Sequence, residues 1–389
     1  MDEQQRRTRA ISLYLQGKHP NTICKALGRS RPWLYKWLKV YDPSDPHWAR
    51  SQSRTPKRSP KKTAQAIVQL VCTIRKRLAK TKYAQKGAVA IQWQLQQLGV
   101  CPVPATWTIN RILKREGLLV KPLYRPRSTA YPSLQAHTPN VAHQMDLVGP
   151  RYLKSKERFY GIHLIDTFSN AVALAAFPSK RDIDIVQGVV AGWQRLGIPQ
   201  FLQVDNELSF RGSNRYPHSF GLLIRLCLYL QVEIVFIPPG EPWRNGIVEK
   251  FNDVYDKLFF RPQQFKSLAR LQAELLRFEN FHNRSHRYAK LAQRTPWPVH
   301  TANSRRLLPK SFVLHLKPLP WRDGKISFIR LTDNKGAVHF FSERFEIAAG
   351  LVHEYVRGTI YTKQNLLKFF HQDKIVKVYR YKITKPQKC

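Results

Sequence analysis

The sequence predicts a multidomain protein with α-helical N-terminal domains, an α/β core and a small C-terminal β-barrel. Three observations support this fold class. Helical periodicity occurs in two separate stretches before residue 120, strand-like and helix-like runs alternate over residues 139–303, and short strand-like runs follow from residue 304. At 389 residues the chain is longer than the usual domain of about 100–200 residues, so we expect roughly two to four domains.

The charge balance is strongly basic along the whole chain. Lys and Arg number 66 against 25 Asp and Glu, which gives a formal net charge of +41. A surface of this sign attracts polyanions through counterion release. We therefore expect nucleic acid as the partner, with a ribosome-like scaffold or a membrane-surface binder as alternatives.

The cysteines and the apolar runs indicate the compartment. The five Cys residues lie far apart, without zinc-ligand spacing, and their odd number argues against a disulfide framework. No apolar run approaches the roughly 18 residues of a membrane span, and the N-terminus lacks the apolar region of a signal peptide. We expect a soluble, intracellular protein that does not bind a membrane.

Residues 1–50 predict a helix-turn-helix domain. After a first short helix, Asn21 is expected to cap a second one, Gly28 to form a tight turn, and Ser30 to cap a third. The third helix carries basic residues predicted to contact DNA: Arg31, Lys36 and Lys39. The alternative is an ordinary helical hairpin with a solvated basic face.

Residues 51–62 are basic and almost free of apolar residues, which predicts a linker that cannot form a core. Residues 63–120 return to helical periodicity and predict a second helical DNA-binding domain of the helix-turn-helix or winged type. Its third helix carries further predicted DNA contacts: Arg111, Lys114 and Arg115. A basic outer face is also the usual solvated face of a helix. Residues 121–138, rich in Pro, Ser and Thr, predict a second, extended linker.

Residues 139–303 predict a mixed sheet with helices on both faces. Three acidic residues in this region lie within a strand, at the end of a strand and near the start of a helix. Asp146 lies in the first strand, Asp205 ends the short strand "FLQVD", and Glu249 lies near the start of the helix after "IPPGEPWRNG". Each alone has an ordinary explanation: a salt-bridged strand residue, a turn former and a helix-dipole partner. Because the strand ends and the helix start belong to one sheet and its covering helix, we expect the three carboxylates to converge on a single cleft.

Three converging carboxylates repel one another unless a cation lies between them. Mg²⁺ prefers oxygen ligands and substrate phosphates, and two such ions about 3.5–4 Å apart suit chemistry at phosphorus. Glu249 would then hold a metal ion, and DNA would meet nearby groups, including backbone N–H groups at the helix start. The side chains predicted to contact DNA here are Trp243, Arg244 and Lys250.

The core resembles the integrase core of retroviral integrases and bacterial insertion-sequence transposases. The matching pieces are "HQMDLVG", "LQVDNE", "PWRNGIVEKFN" and "FHNRSHRYAKLAQRTPWP". The resemblance implies a ribonuclease H-like fold and a DDE triad, with Asp146, Asp205 and Glu249 as catalytic, metal-binding residues. It also implies Mg²⁺ as the cofactor, two ions per active site, with Mn²⁺ as a substitute.

By the same resemblance the protein is expected to be a polynucleotidyl transferase. It would bind transposon ends, cleave a DNA strand, and transfer the exposed 3′-OH into target DNA. The resemblance also implies homo-oligomers on double-stranded DNA and accessory transposition proteins as partners. It further implies a bacterial, nucleoid-associated location in the cytoplasm. The alternatives are a DNA-binding regulator with an inactive core, a metal-dependent nuclease without strand transfer, and a basic scaffold protein.

The sequence departs from the family pattern in two places. Between Asp205 and Glu249 lie 43 residues, where the family commonly has about 35, so an insertion is expected within "SFRGSNRYPHS". Glu207 stands where the family often has Gly, and we expect a surface residue rather than an extra ligand. We expect Asp253, one turn after Glu249, to be a fallback ligand, and Asp166 to be a structural residue. His282, Arg284 and His286 either bind DNA phosphates or decorate a helix end.

Residues 304–389 read as short strands separated by turn signals, which predicts the small β-barrel. The predicted strands are "SFVLHL", "KISFIRL", "AVHFFS", "RFEIA", "YVRGTIYT" and "IVKVYRYKI". It would bind either DNA or another protein.

Overall fold

The computed structural model describes residues 2–51, 63–119, 131–212, 218–314, 319, 321–341 and 343–384. The chain divides into two compact units, Met1–Thr63 and Ala64–Cys389. Most of the predicted linkers at 51–62 and 121–138, and residues 213–217 of the predicted insertion, lie outside the described residues. No helix of the described chain is long and apolar enough to cross a bilayer.

The first unit contains three helices around a small apolar core. They are α1 (Glu3–Leu15), α2 (Pro20–Leu27) and α3 (Arg31–Val40). Gly28 has φ +60° and closes α2, and Ser30 is the N-cap residue of α3, as predicted. The prediction of Asn21 as the cap of α2 is wrong. His19 is the N-cap, its Nδ1 accepts from the Asn21 N–H, and Pro20, which has no N–H to satisfy, occupies the first turn.

The second unit begins with another three-helix group. Its helices are α4 (Gln65–Lys80), α5 (Ala88–Gln97) and α6 (Thr106–Arg115). Their stripes of apolar residues meet in a separate core that includes Val71, Ile91, Leu95 and Ile109. This agrees with the periodicity of the sequence.

The remainder of the second unit is built on a large mixed sheet. Its first five strands are β1 (Ala142–Tyr152), β2 (Arg158–Asp166), β3 (Val172–Phe177), β4 (Phe201–Val204) and β5 (Glu233–Phe236). β1 to β3 are antiparallel neighbours, whereas β4 lies parallel to β1, and β5 parallel to β4.

Helices cover both faces of these strands. They are α7 (Asp182–Leu196), α8 (Leu208–Arg211), α9 (Leu222–Tyr229), α10 (Gly246–Tyr255), α11 (Leu268–Ser285) and α12 (Pro296–His300). α7 and α9 pack into the apolar cluster on one face, and α10 and α11 into the cluster on the other. The strands are accordingly buried on both sides. This is the ribonuclease H-like arrangement that the resemblance implied.

The C-terminal strands are β6 (Lys325–Leu331), β7 (Ala337–Phe340), β8 (Glu343–Glu346), β9 (Tyr355–Tyr361), β10 (Leu366–His371) and β11 (Lys374–Arg380). A separate barrel is not confirmed. β6 pairs in parallel with β5, so the nine-stranded sheet has the order β11-β10-β9-β6-β5-β4-β1-β2-β3, and β7 and β8 form their own two-stranded sheet. The unpaired edge of β5 explains this outcome, because its free N–H and C=O groups accept another strand.

The structure differs from the strand predictions of this region in two ways: within the described residues it contains one strand that was not predicted, and it lacks one that was. β10 was not predicted, because the turn before β11 consists of Gln372 and Asp373, both at positive φ, without the Asn-Gly or Asp-Gly signal typical of such hairpins. The predicted strand "SFVLHL" does not form over residues 311–314, and residues 315–316 lie outside the described part.

Candidate active site

Two of the predicted catalytic carboxylates lie on neighbouring parallel strands. Gln144 of β1 is opposite Gln203 of β4, so Asp146 and Asp205 lie two residues further along each chain, at matching positions. β4 ends at Val204, which places Asp205 directly after its carboxyl end. The carboxyl ends of parallel strands are where open α/β sheets usually bind ligands.

Asp146 and Asp205 are both half-buried and each accepts hydrogen bonds. Asp146 accepts from Asn252 Nδ2 at 2.5 Å and from the Leu147 N–H at 2.9 Å, and Asp205 accepts from the Glu207 N–H at 3.0 Å. Burial raises the pKa of Asp146, and the charge of Glu249 adds to the increase. Burial also raises the pKa of Asp205, with a contribution from Asp146. Asp146 therefore interacts electrostatically with both Glu249 and Asp205.

Glu249 is exposed in the first turn of α10, and the start of this helix is fixed to β1. Buried Asn245 donates through Nδ2 to the Met145 carbonyl at 2.8 Å. The Gln144 side chain accepts from the Ile247 and Val248 N–H groups at 3.0 and 3.1 Å. The expectation that backbone N–H groups at this helix start receive DNA is therefore wrong for these two, because β1 already occupies them.

The donor set is suited to a hard divalent cation. All three side chains offer oxygen, two have a raised pKa caused partly by the others, and Glu249 is exposed on its helix. Within the described residues, no group of three or more Asp, Glu, His or Cys side chains is close enough together to hold an ion. Binding would thus require the side chains to converge further.

Asn252, a residue that the sequence analysis missed, orients Asp146. Its Oδ1 lies 2.7 Å from Nδ1 of buried His163 on β2, which directs its Nδ2 towards the Asp146 carboxylate. Asn252 stands three residues after Glu249 and so lies on the same side of α10. That spacing was the available signal, whereas nothing in the sequence pointed to His163.

The predicted DNA contacts differ in their accessibility. On α3, α6 and α10 and in the turn before α10, the exposed ones are Arg31, Lys36, Lys39, Arg111, Lys114, Arg115, Trp243 and Lys250. Arg244 is half-buried, because its Nε donates to Glu241 Oε2 at 2.8 Å and its Nη2 to the Tyr355 hydroxyl at 3.0 Å. DNA contact by all nine residues stays a prediction.

The other acidic residues near the site are engaged elsewhere. Glu207 accepts from Lys180 Nζ at 2.9 Å, and exposed Asp253 pairs with Lys257 at 3.2 Å. Asp166 is fully buried and accepts from the Asn140 N–H and from Ser169. Burial would raise its pKa, but hydrogen bonding and the nearby histidines outweigh burial and hold the pKa at about 2. These contacts agree with a surface position for Glu207 and a structural role for Asp166.

The suggestion that His282 and His286 bind DNA phosphates is wrong. Both are fully buried, and they bond to the Tyr288 hydroxyl at 2.7 Å and the Tyr83 carbonyl at 2.6 Å. Burial lowers the pKa of both, to about 4 for His286, so they are neutral at physiological pH. Arg284 is exposed on α11 and bonds to Asn280.

Two family models match the chain. Residues 230–296 match an integrase core domain, and residues 1–42 match a homeodomain-like domain. No curated protein matches at a significant level.

Several solved structures resemble part of the chain. The integrase catalytic core domain of HTLV-2, in complex with magnesium, is 18% identical, covers 43% of this chain and 99% of its own, and has a TM-score of 0.34. The simian T-cell lymphotropic virus intasome with PP2A regulatory subunit B56 gamma is 15% identical, with coverages of 76% and 96% and a TM-score of 0.38. The catalytic core domain of BIV integrase is 17% identical, with coverages of 42% and 95% and a TM-score of 0.31. At these TM-scores the similarities do not bear on the activity of this chain.

The integrase-core match includes the motif "PWRNGIVEKFN" with Glu249, whereas Asp146 and Asp205 lie outside the matched residues. Residues 230–296 of this chain are thus similar to integrase core domains, and residues 1–42 are similar to homeodomain-like domains.

Proposed function

We propose that this protein is a DDE-type transposase or integrase, a polynucleotidyl transferase that cleaves and joins DNA strands. The observation that carries the proposal is the placement of three carboxylates, in which Asp146 is repelled by both Asp205 and Glu249. Asp146 lies on β1, and Asp205 lies at the matching position directly after the parallel strand β4. Glu249 lies on α10, whose start is fixed to β1. Such an arrangement costs free energy unless a cation compensates it.

In this proposal each residue of the site has a defined task. Asp146, Asp205 and Glu249 would bind Mg²⁺ through their carboxylates, and Asn252 would hold the Asp146 carboxylate in position. When bound, Mg²⁺ or Mn²⁺, two ions per site, would supply positive charge to offset the charge that develops at phosphorus. Strand pairing joins β1 to β4, and hydrogen bonds join the start of α10 to β1, so the three side chains lie on elements that are connected to one another.

The reaction has two steps at phosphorus. In the first, water attacks a phosphodiester at the transposon end, which releases a strand with a free 3′-OH and leaves the phosphate on the other fragment. In the second, this 3′-OH attacks a phosphodiester of target DNA, which forms a new bond and releases a 3′-OH of the target strand. Both steps require in-line geometry rather than covalent chemistry by the protein.

DNA binding would come from the basic helices. α3 presents Arg31, Lys36 and Lys39 to solvent, in the place of a recognition helix, and α6 presents Arg111, Lys114 and Arg115. Joining two transposon ends requires more than one active site, so we propose homo-oligomers on DNA, with accessory transposition proteins as further partners.

The test is metal-dependent nicking and joining of plasmid DNA by the purified chain. We expect activity with Mg²⁺ or Mn²⁺, and none for Asp205→Asn or Glu249→Gln, although both variants still bind DNA. Asp253→Asn is a matched control, because Asp253 lies on the same helix and, among the described residues, forms an ion pair with Lys257 alone. Asp253→Asn should retain the activity of the wild type.

Other outcomes would favour the alternatives. Nicking without joined products would indicate a nuclease. DNA binding with neither activity nor Mn²⁺ binding would indicate a regulator with an inactive core.

A further inference from the structure

Arg330, near the carboxyl end of β6, connects the C-terminal strands to the segment that carries Asp205. Its Nη2 donates to Asn206 Oδ1 at 2.7 Å and its Nη1 to the Ile237 carbonyl at 3.1 Å. Asn206 follows Asp205 directly, and its Nδ2 donates to the same Ile237 carbonyl at 2.6 Å. One guanidinium thus joins the ends of β4, β5 and β6.

The surroundings of Arg330 show what its guanidinium contributes. The side chain is only 8% exposed, and it forms no ion pair with any residue of the described ranges. Further hydrogen bonds go to the carbonyls of Ile329 at 2.8 Å and His339 at 3.3 Å. A buried cation is costly, and an apolar side chain would fill the same space at a lower cost. The planar fork of donors holds several oxygen atoms in a fixed geometry, which an apolar side chain does not do.

Tyr355, the first residue of β9, makes a second connection of this kind. Its hydroxyl donates to the Glu241 carboxylate at 2.8 Å and accepts from Arg244 Nη2 at 3.0 Å. Glu241 and Arg244 also bond to each other at 2.8 Å, and the Tyr131 ring lies 4.0 Å from the Arg244 guanidinium. This network encloses the Pro242–Asn245 turn that leads directly into α10 and Glu249.

We propose that β6 and β9 are a positioning scaffold of the active site, in which Arg330 positions the Asp205 segment and Tyr355 positions the segment before Glu249. The inference rests on the proposed function, since it concerns the same three carboxylates. It assigns the C-terminal strands a task within the core itself.

The physical reason is that mutually repelling carboxylates must be held by their backbones. β4 has only four residues, and Asp205 lies beyond its end, so the ladder alone holds this segment weakly. Glu249 depends on the angle at which the turn enters α10. Groups that hold metal ligands in place commonly change metal affinity about 10–100-fold when they are removed.

The test compares Mn²⁺ affinity of the full-length protein without DNA. Tyr355→Phe removes one hydroxyl, and Arg330→Lys keeps the charge but removes the fork. The matched controls are Tyr379→Phe, whose hydroxyl donates to the Glu346 carbonyl within the C-terminal region, and Arg357→Lys, which pairs with Asp373. We expect the Kd for Mn²⁺ to rise about tenfold or more in the first two variants and to stay within about twofold of wild type in the controls.

Measuring urea denaturation and DNA binding for every variant distinguishes a change in metal affinity from a change in the stability of the fold. A lower unfolding midpoint for Tyr355→Phe and Arg330→Lys, with an unchanged Kd for Mn²⁺, would overturn the inference and leave these residues a purely structural role. Asp205→Asn tests the proposed function independently. If it binds Mn²⁺ as wild type does, the proposed metal site is wrong and the inference fails with it.

Discussion

Lowering the pH from 7.5 to 5.5 is expected to destabilise the second unit through its buried histidines. His143, His163 and His286 are fully buried, and burial lowers the pKa of each from 6.5 to about 4. A lowered pKa means that the unfolded chain binds the proton more readily. The contribution of these neutral histidines to the free energy of unfolding is therefore fully present above pH 6.5, and it is lost as the pH falls from there towards 4.

The magnitude follows from the size of the pKa shifts. At pH 5.5, one unit below the unfolded pKa, each histidine removes about 1.4 kcal/mol from the free energy of unfolding, so the three together remove roughly 4 kcal/mol. By pH 4 the loss per histidine reaches about 3 kcal/mol. Since domains are stable by only about 5–15 kcal/mol, this unit should be close to unfolding at that pH.

Urea denaturation followed by tryptophan fluorescence measures this free energy at both pH values. His286→Asn should reduce the pH dependence by about a quarter, because buried His282, whose pKa burial also lowers, is a fourth contributing group. His353→Asn, at an exposed position, is the matched control and should leave the pH dependence unchanged. A free energy of unfolding that differs by less than about 1 kcal/mol between pH 7.5 and 5.5 would refute the reasoning.

Three further predictions concern single side chains. Asn252→Ala should weaken Mn²⁺ binding about 10–100-fold, measured by titration, because Asn252 holds the Asp146 carboxylate. Asn280→Ala, at an exposed position of α11, is the control and should bind Mn²⁺ as wild type does. Equal Mn²⁺ affinities of the two variants would exclude the positioning role of Asn252. Lys36→Ala should lower DNA affinity for all sequences alike and reduce the slope of log K against log salt by about 1; an unchanged slope would mean that Lys36 contacts no phosphate. Asp166→Asn should lower the free energy of unfolding at pH 7 by about 2.5 kcal/mol, because the pKa of Asp166 is lowered to about 2 in the folded protein. The ionised carboxylate stabilises the fold above pH 4, and this stabilisation is lost as the pH falls towards 2. A loss under about 1 kcal/mol, measured by urea denaturation, would contradict the structural role of Asp166.

Local patterns in the sequence were sufficient for most elements. The stripes at helical spacing predicted α4 and α6, and the apolar runs predicted β2 and β5, because each such pattern reports on one face or one strand. The family motifs likewise indicated Asp146, Asp205 and Glu249 as the candidate catalytic residues, and their positions on β1, after β4 and on α10 agree with the prediction. Their catalytic role stays a proposal.

The sequence by itself determined the helical N-terminal region, the alternating core and the basic character that favours nucleic acid. Only the tertiary structure decided that β6 extends the core sheet, that His282 and His286 are buried, and that Arg330 and Tyr355 contact the segments beside Asp205 and Glu249. The physical reason is separation along the chain. Arg330 and Asn206 are 124 residues apart, and Tyr355 and Glu241 are 114 apart. Periodicity reports on neighbours within a few residues, whereas pairing between distant segments is set by which strand edges and polar groups remain to be satisfied once the core has packed.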